Sequence, residues 1–344
     1  MDSNSRIIVI GASAGGVKAL LRLVPQLPSS LAAPILVVLH IGAHRSLLPE
    51  LLNKGGVRRA AFAQTGVAPL PGMIYVAPPD QHLLLEDGRL RLFRGAKEHH
   101  ARPAINPLFR SAALDRGSRV VGVVLTGMLD DGTAGLRAIK ACGGIAVVQD
   151  PDDAAEPSMP RSAIAGAAVD HVAKLDAMAE LLDSLARPAE RAKPEDAPEW
   201  LRIEHAISLG RGNMQELSKI GAPSGFTCPD CGGSLFELQQ GRPVRFMCHT
   251  GHAFSLRALA AAQEQMTDVA LWAGLRALQE TESILRRLAE EQAKEAPGSE
   301  AAALGEAERV SAFIDQMRGV VTSGPTNPTG ENLSEVAERP PMET

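Results

Sequence analysis

The chain has 344 residues, 45% of them hydrophobic, which is enough for one large domain with an appendage or for two domains with a real core. Its formal net charge of -5 offers no global positive field to nucleic acid or to an anionic membrane surface. No apolar run is long enough to span a bilayer, and the N-terminus lacks the basic region and cleavage-site layout of a signal peptide, so the expected compartment is cytoplasmic.

Short runs rich in Val and Ile at 7–10, 35–39, 73–76, 120–125 and 145–148 have the composition of buried parallel strands. Helical patterns lie between them at 15–26, 46–53, 104–116 and 132–140, with a last helix at 175–185. This alternation predicts an α/β fold over 1–187, a doubly wound and mainly parallel sheet. Basic residues scattered between Arg89 and Arg119 read as a solvated face. Pro188, Pro194 and Pro198 among charges make 188–224 a linker, with a short helix near 199–209. A cysteine module follows at 225–255 and a helical region at 256–320, broken at Pro297-Gly298. Residues 321–344 hold four prolines and no apolar periodicity, the composition of a disordered tail.

The first predicted strand runs into Gly11-Ala12-Ser13-Ala14-Gly15-Gly16. Its glycine spacing fails the Gly-x-Gly-x-x-Gly dinucleotide fingerprint. It also fails as a P-loop, because no Ser or Thr follows Lys18. Two readings of Ser13 stay open. It caps the following helix, or it is a nucleophile beside helix-start N–H groups that hold an oxyanion. A serine nucleophile needs a base, and the base needs an orienting acid. The run at 35–39 ends at His40, and the run at 120–125 leads into Thr126-Gly127-Met128-Leu129-Asp130-Asp131-Gly132. The C-terminal strand ends of an open parallel sheet share one crevice, so Ser13, His40 and one aspartate of the pair are placed to converge.

Further blocks are Tyr75-Val76-Ala77-Pro78-Pro79-Asp80-Gln81-His82, Arg102-Pro103 before Asn106-Pro107-Leu108-Phe109, and Met159-Pro160-Arg161. In this order the blocks resemble the catalytic domain of the chemotaxis protein-glutamate methylesterases, the CheB family, over about residues 6–185. The resemblance implies that Ser13 is the nucleophile, His40 the general base and Asp131, the aspartate before glycine, the orienting carboxylate. It further implies an oxyanion site near the Ala14 and Met128 backbones, with Arg102 and Arg161 orienting the substrate. The implied substrate is a methylated glutamate on the cytoplasmic helices of a chemoreceptor, with deamidation of receptor glutamine by the same machinery. The alternative is a non-catalytic chemosensory scaffold or adaptor that keeps the fold, against which the intact triad argues. The family pattern begins near residue 6, so a receiver-less enzyme is expected. Asn106 stands where members often have Asp. His82 does not match the triad histidine. His99-His100 are expected in an exposed loop, Cys142 buried and inert, and His44 and Arg45 beside the cleft or capping the next helix.

Three of the four cysteines cluster late in the chain, which favours a metal over a disulfide framework. Cys228, Cys231, Cys248 and His252 form Cys-x2-Cys-x16-Cys-x3-His, a spacing that predicts a closed structural Zn²⁺ site in a zinc ribbon. His249 is the rival ligand. The module resembles a zinc-ribbon appendage of some receiver-less relatives. No cofactor is expected for catalysis, and Arg242 and Arg245 make no basic cluster for nucleic acid. In the helices beyond, Leu256, Leu259, Ala262, Met266 and Val269 approximate an apolar face. That face is expected to pack within the helices or in a homodimer, or else to bind a receptor, a separate receiver protein, another chemosensory protein or the cleft mouth.

Overall fold

The computed structural model describes residues 6–41, 45–55, 58–187 and 196–323. His44, the beginning of the expected linker and nearly all of the expected tail lie outside the described residues. The chain divides into two units, Met1–Ala258 and Leu259–Thr344.

In the first unit the chain runs β1 (Ile7–Ala12), α1 (Gly16–Leu23), β2 (Ile35–Leu39), α2 (Leu48–Gly55), β3 (Ala60–Phe62) and β4 (Ile74–Val76). It continues through β5 (His82–Glu86), β6 (Arg89–Phe93), α3 (Ile105–Arg116), β7 (Val120–Val124), α4 (Thr133–Ala141) and β8 (Ile145–Gln149). Then come α5 (Ser158–Gly166), β9 (His171–Ala173) and α6 (Leu175–Ala186). A seven-stranded sheet has the order β3-β4-β2-β1-β7-β8-β9, with its neighbours parallel. The predicted α/β parallel sheet is therefore present. Side chains alternate between its faces. Ile7 and Val9 pack with Leu108 and Phe109 of α3, while Ile8 and Ile10 pack with Leu20 of α1 and Met178 of α6. Burial on both faces is why the strands read as unbroken apolar runs rather than alternating ones.

Several elements were not expected. β3 and β9 are only three residues long, without the Val- and Ile-rich run that marks the equally short β4. β5 and β6 form an antiparallel hairpin closed by Asp87-Gly88, where φ is 51° and 71°; Asp-Gly is a hairpin turn signal legible in the sequence.

The short helix expected near 199–209 is present, and the structure corrects the linker reading of the residues that follow it. The described part of that stretch carries α7 (Glu199–Ser208) and α8 (Met214–Ile220), the latter opened by an Asn213–Glu216 capping box. Leu201 on α7 joins the sheet core, whereas Ile203 and Ile207 join a smaller core with Leu217, Phe236 and Met247. That smaller core belongs to an antiparallel sheet of β10 (Gly221–Thr227), β11 (Ser234–Leu238), β12 (Arg245–Cys248) and β13 (Ala253–Ser255), which starts before the expected module boundary at 225.

The basic stretch is not wholly a solvated face. Arg110 is buried, paired with Glu98 and, at 2.8 Å, with Glu204 on α7. Glu204 also accepts from Arg245 on β12, through Nη1 at 3.2 Å. Two buried carboxylates thus meet two buried guanidiniums, the charge balance that burial demands.

α9 (Leu256–Glu295) begins in the first unit and continues into the second, which also holds α10 (Ala301–Ser323). The break between them spans Pro297-Gly298 as expected. On these helices Leu275, Ala289, Ala307 and Ile314 are buried, whereas Met266, Val269 and Trp272 are exposed. Leu259 and Ala262 of the expected apolar face are buried and its other members are not. No helix among the described residues is long and apolar enough to cross a membrane.

Candidate active site

β2, β1 and β7 are neighbours in the sheet, and their C-terminal ends are laced together. The His40 N–H donates to Ala12 O at 3.2 Å, Leu125 N–H to Gly11 O at 2.9 Å and Ser13 N–H to Thr126 O at 3.0 Å. Ser13, His40 and Asp131 thereby arrive at one point from positions far apart in the chain.

Ser13 does not cap α1. The capping position is Gly15, at φ 76°, and no side chain caps the helix. The Ser13 hydroxyl instead lies 3.1 Å from His40 Nδ1, and His40 Nε2 lies 2.8 Å from Asp131 Oδ2. A carboxylate only accepts, so Nε2 carries the proton and Nδ1 keeps its lone pair toward the Ser13 O–H. A base poised beside a hydroxyl results. Gly127 must be glycine for this packing, because a Cβ there would stand 2.8 Å from Ser13 Cβ and 2.6 Å from Met159 Cε.

Asp131 is buried, and four donors meet its carboxylate. Oδ2 accepts from His40 and from Ile105 N–H at 2.7 Å; Oδ1 accepts from Asn106 N–H at 3.2 Å and Gly132 N–H at 2.8 Å. Burial by itself would raise its pKa, but the His40 hydrogen bond, the nearby His99 and the Ile105 N–H together hold the carboxyl below the usual range. Asn106 extends the frame, its Oδ1 accepting from Gly132 N–H at 3.1 Å and Gly135 N–H at 2.7 Å. An acceptor is what that position requires, and an amide supplies it as well as a carboxylate. Leu129, two residues before Asp131, has φ 60°, an uncommon conformation for a side chain of its size.

The remaining expected residues are more dispersed. The Ala14 carbonyl accepts from Thr126 Oγ1 at 3.0 Å, which fixes the turn after Ser13. The Met128 side chain is exposed, as is Arg161 on α5. Arg102 is tied to Asp80 through Nε at 2.8 Å and Nη2 at 2.7 Å, and to Gly95 O through Nη1 at 2.6 Å. Asp80 is a partner that the sequence does not assign, though it sits in the quoted Tyr75–His82 block. Its carboxyl is held below the usual range by the Arg102 hydrogen bonds. His82 is buried, donating from Nε2 to Ala96 O at 2.9 Å and accepting from Ala104 N–H at Nδ1, and burial pushes its pKa down. His99 and His100 do not form an exposed loop. His99 is buried with Nδ1 3.5 Å from Asp130 Oδ1, and His100 Nδ1 lies 2.9 Å from Asp230.

The family model for the CheB methylesterase matches residues 8–182. The chain belongs to the CheB methylesterase family. A Leptospira interrogans relative, named for protein-glutamate methylesterase/protein-glutamine glutaminase activity, is 41% identical over 184 residues, which are 52% of this chain and 93% of that protein. An Anaeromyxobacter dehalogenans protein-glutamate methylesterase/protein-glutamine glutaminase is 38% identical over 180 residues, and the chain spans 53% of its length. The crystal structure of the Thermotoga maritima CheB methylesterase catalytic domain is 32% identical, with a TM-score of 0.49, covering 53% of this chain and 98% of that one.

Beyond the span that matches the CheB methylesterase model, Cys228, Cys231, Cys248 and His252 place one donor atom each within 4.8 Å of one another. A tetrahedral zinc with its usual bond lengths sets S–S separations of about 3.8 Å and S–N separations of about 3.5 Å. Cys231 Sγ is 3.8 Å from Cys248 Sγ, which is 3.5 Å from His252 Nδ1. Thr250 Oγ1, 2.9 Å from Cys248 Sγ, is a hydroxyl able to support a thiolate. The donor set fits a zinc ion, and His249 is not part of it.

Proposed function

We propose that this protein is a cytoplasmic serine esterase that hydrolyses glutamate methyl esters on the helices of chemoreceptors, and that it deamidates receptor glutamine by the same steps. The reading rests above all on the Ser13–His40–Asp131 chain of hydrogen bonds at adjacent strand ends. His40 Nδ1 takes the hydroxyl proton as Ser13 Oγ attacks the ester carbonyl. The N–H groups of Ala14 and Met128 hold the oxyanion. Collapse of this intermediate expels methanol, which takes its proton from His40, and leaves an acyl-serine. Water, deprotonated by His40, then releases the glutamate and restores Ser13. Asp131 keeps Nε2 protonated and stabilises the imidazolium, without itself accepting the proton. Exposed Met128, shortly before Asp131 in the chain, and exposed Arg161 on α5 meet the receptor, while Arg102 shapes the site through Asp80.

Methanol release from a methylated receptor fragment, together with labelling of Ser13 by a serine-directed phosphonate, tests the reading. Tight receptor binding with neither turnover nor labelling would support the scaffold alternative instead.

The same proposal assigns Cys228, Cys231, Cys248 and His252 to a structural zinc, and the four-stranded sheet to a zinc ribbon. Zinc supplies a cross-link between the two ends of the module, and thiolate ligation couples its binding to folding. Elemental analysis of protein purified without added metal is expected to give about one zinc per chain. Cys248→Ser should lose it; a metal-free yet folded ribbon would refute the assignment.

A further inference from the structure

The ribbon and the triad are joined by side chains that the reaction does not use. The segment at 97–99 lies along the edge of β13, with His99 N–H donating to Ala253 O at 2.9 Å and Ala253 N–H to Lys97 O at 3.4 Å. At the end of β13 the Ser255 hydroxyl donates to Asp130 Oδ1 at 2.7 Å. Ser255 Oγ also accepts from Ala258 N–H at 3.1 Å, capping the first turn of α9. His99 Nδ1 lies 3.5 Å from that Asp130 Oδ1. Asn106 Oδ1 is committed to Gly132 and Gly135, so its Nδ2 is the donor to His99 Nε2 at 3.2 Å. In the neutral ring the proton then sits on Nδ1, which faces Asp130. Asp130 is a buried carboxylate one residue from the buried Asp131; among the described residues its side chain accepts a hydrogen bond from Ser255 at the end of β13, with His99 of the clamped segment 3.5 Å away. On the far side of the module, His100 meets Asp230, which lies between the metal-binding Cys228 and Cys231.

We propose that the ribbon sets the catalytic aspartate: Ser255 is a positioning residue that holds Asp131 through Asp130, so that metal-dependent folding of the ribbon sets the rate of ester hydrolysis. A zinc ion with no part in the chemistry thereby controls it. This rests on the esterase reading for its rate and on the metal reading for its control. The physical reason is that a buried carboxylate deprived of its donor moves toward water, and Asp130 cannot move without its neighbour. Displacing a catalytic group by even an ångström is costly to the rate.

Ser255→Gly and Ser255→Thr in the full chain separate this role from capping, because glycine remains a tolerable N-cap but has no hydroxyl, and threonine keeps one. For Ser255→Gly we expect kcat on a methylated receptor fragment to fall about ten- to a hundredfold, with KM little changed. Ser255→Thr should restore most of the loss. Amide exchange over 128–136, read by mass spectrometry, should quicken both in Ser255→Gly and in protein stripped of zinc by a chelator, and should slow again when zinc alone is returned. Parent-like kcat in Ser255→Gly, or exchange over 128–136 that responds neither to that substitution nor to zinc, would overturn the proposal. A parent protein that releases no methanol would refute the esterase reading alone, and the exchange measurements would still decide whether the ribbon holds the 128–136 segment.

Discussion

Ser13→Ala is expected to lower methyl-ester hydrolysis by about 10⁴-fold or more while leaving the fold intact. The hydroxyl is half-buried and its described side-chain partner is His40, so its removal opens no large cavity and unpairs no buried charge. What is lost is the bond-forming atom. Asp131→Asn should act nearly as strongly, by about 10⁴-fold, because an amide offering N–H toward Nε2 would push the ring proton onto the nitrogen that faces Ser13. The two effects should not add: once the nucleophile is gone, the tautomer of His40 has nothing to serve, so the double variant should resemble Ser13→Ala. Methanol release under saturating substrate, with circular dichroism to verify folding, measures all three. A folded Ser13→Ala protein that turns over like the parent would sink the triad assignment.

Glu204→Ala is expected to cost about 3–5 kcal/mol of stability, because it takes from buried Arg245 its described carboxylate partner and leaves buried Arg110 with Glu98 alone. The loss should appear in urea unfolding of the full chain, followed by tryptophan fluorescence, since Trp200 lies on the same helix. A cost below about 1 kcal/mol would show that water reaches these guanidiniums. The same group predicts a pH dependence. Burial would raise the Glu204 pKa, but Arg245 and Arg110 outweigh it and bring the carboxyl down to about 2 from an ordinary 4.5. A folded-state pKa below the unfolded one means that the unfolded chain binds the proton more readily. The stabilisation is therefore complete above pH 4.5 and is lost as pH falls toward about 2. Asp131 acts in the same direction in the acid range. Glu204→Gln should flatten stability in that window relative to the parent.

The strands at 7–10, 35–39 and 120–125 were legible because a strand buried on both faces announces itself as a continuous β-branched run, and the polar residue that ends each run marks the crevice. The Cys-x2-Cys spacing was equally legible, since the two donors of a metal knuckle must be close in sequence. β3 and β9 were not, being three residues long without the Val- and Ile-rich run that marked the equally short β4. The linker misled for a different reason: prolines and charges occupy 188–198, and the exposed composition hid that Leu201, Glu204 and Ile207 on the next helix face inward.

By itself the sequence determined a parallel α/β sheet with Ser13, His40 and an Asp130-Asp131 pair at its strand ends, and a late four-donor cluster. These are encoded by contiguous runs and short spacings, which local backbone periodicity translates directly into position. Only the tertiary structure decided that Gly15 rather than Ser13 holds the cap position, that Asp131 faces His40 while Asp130 faces Ser255, and that Glu98, Arg110, Glu204 and Arg245 share one buried network. Those outcomes depend on which buried charges and donors meet across long separations in the chain. Burial makes each pairing obligatory, but no repeat or spacing in the sequence records which partner will be there.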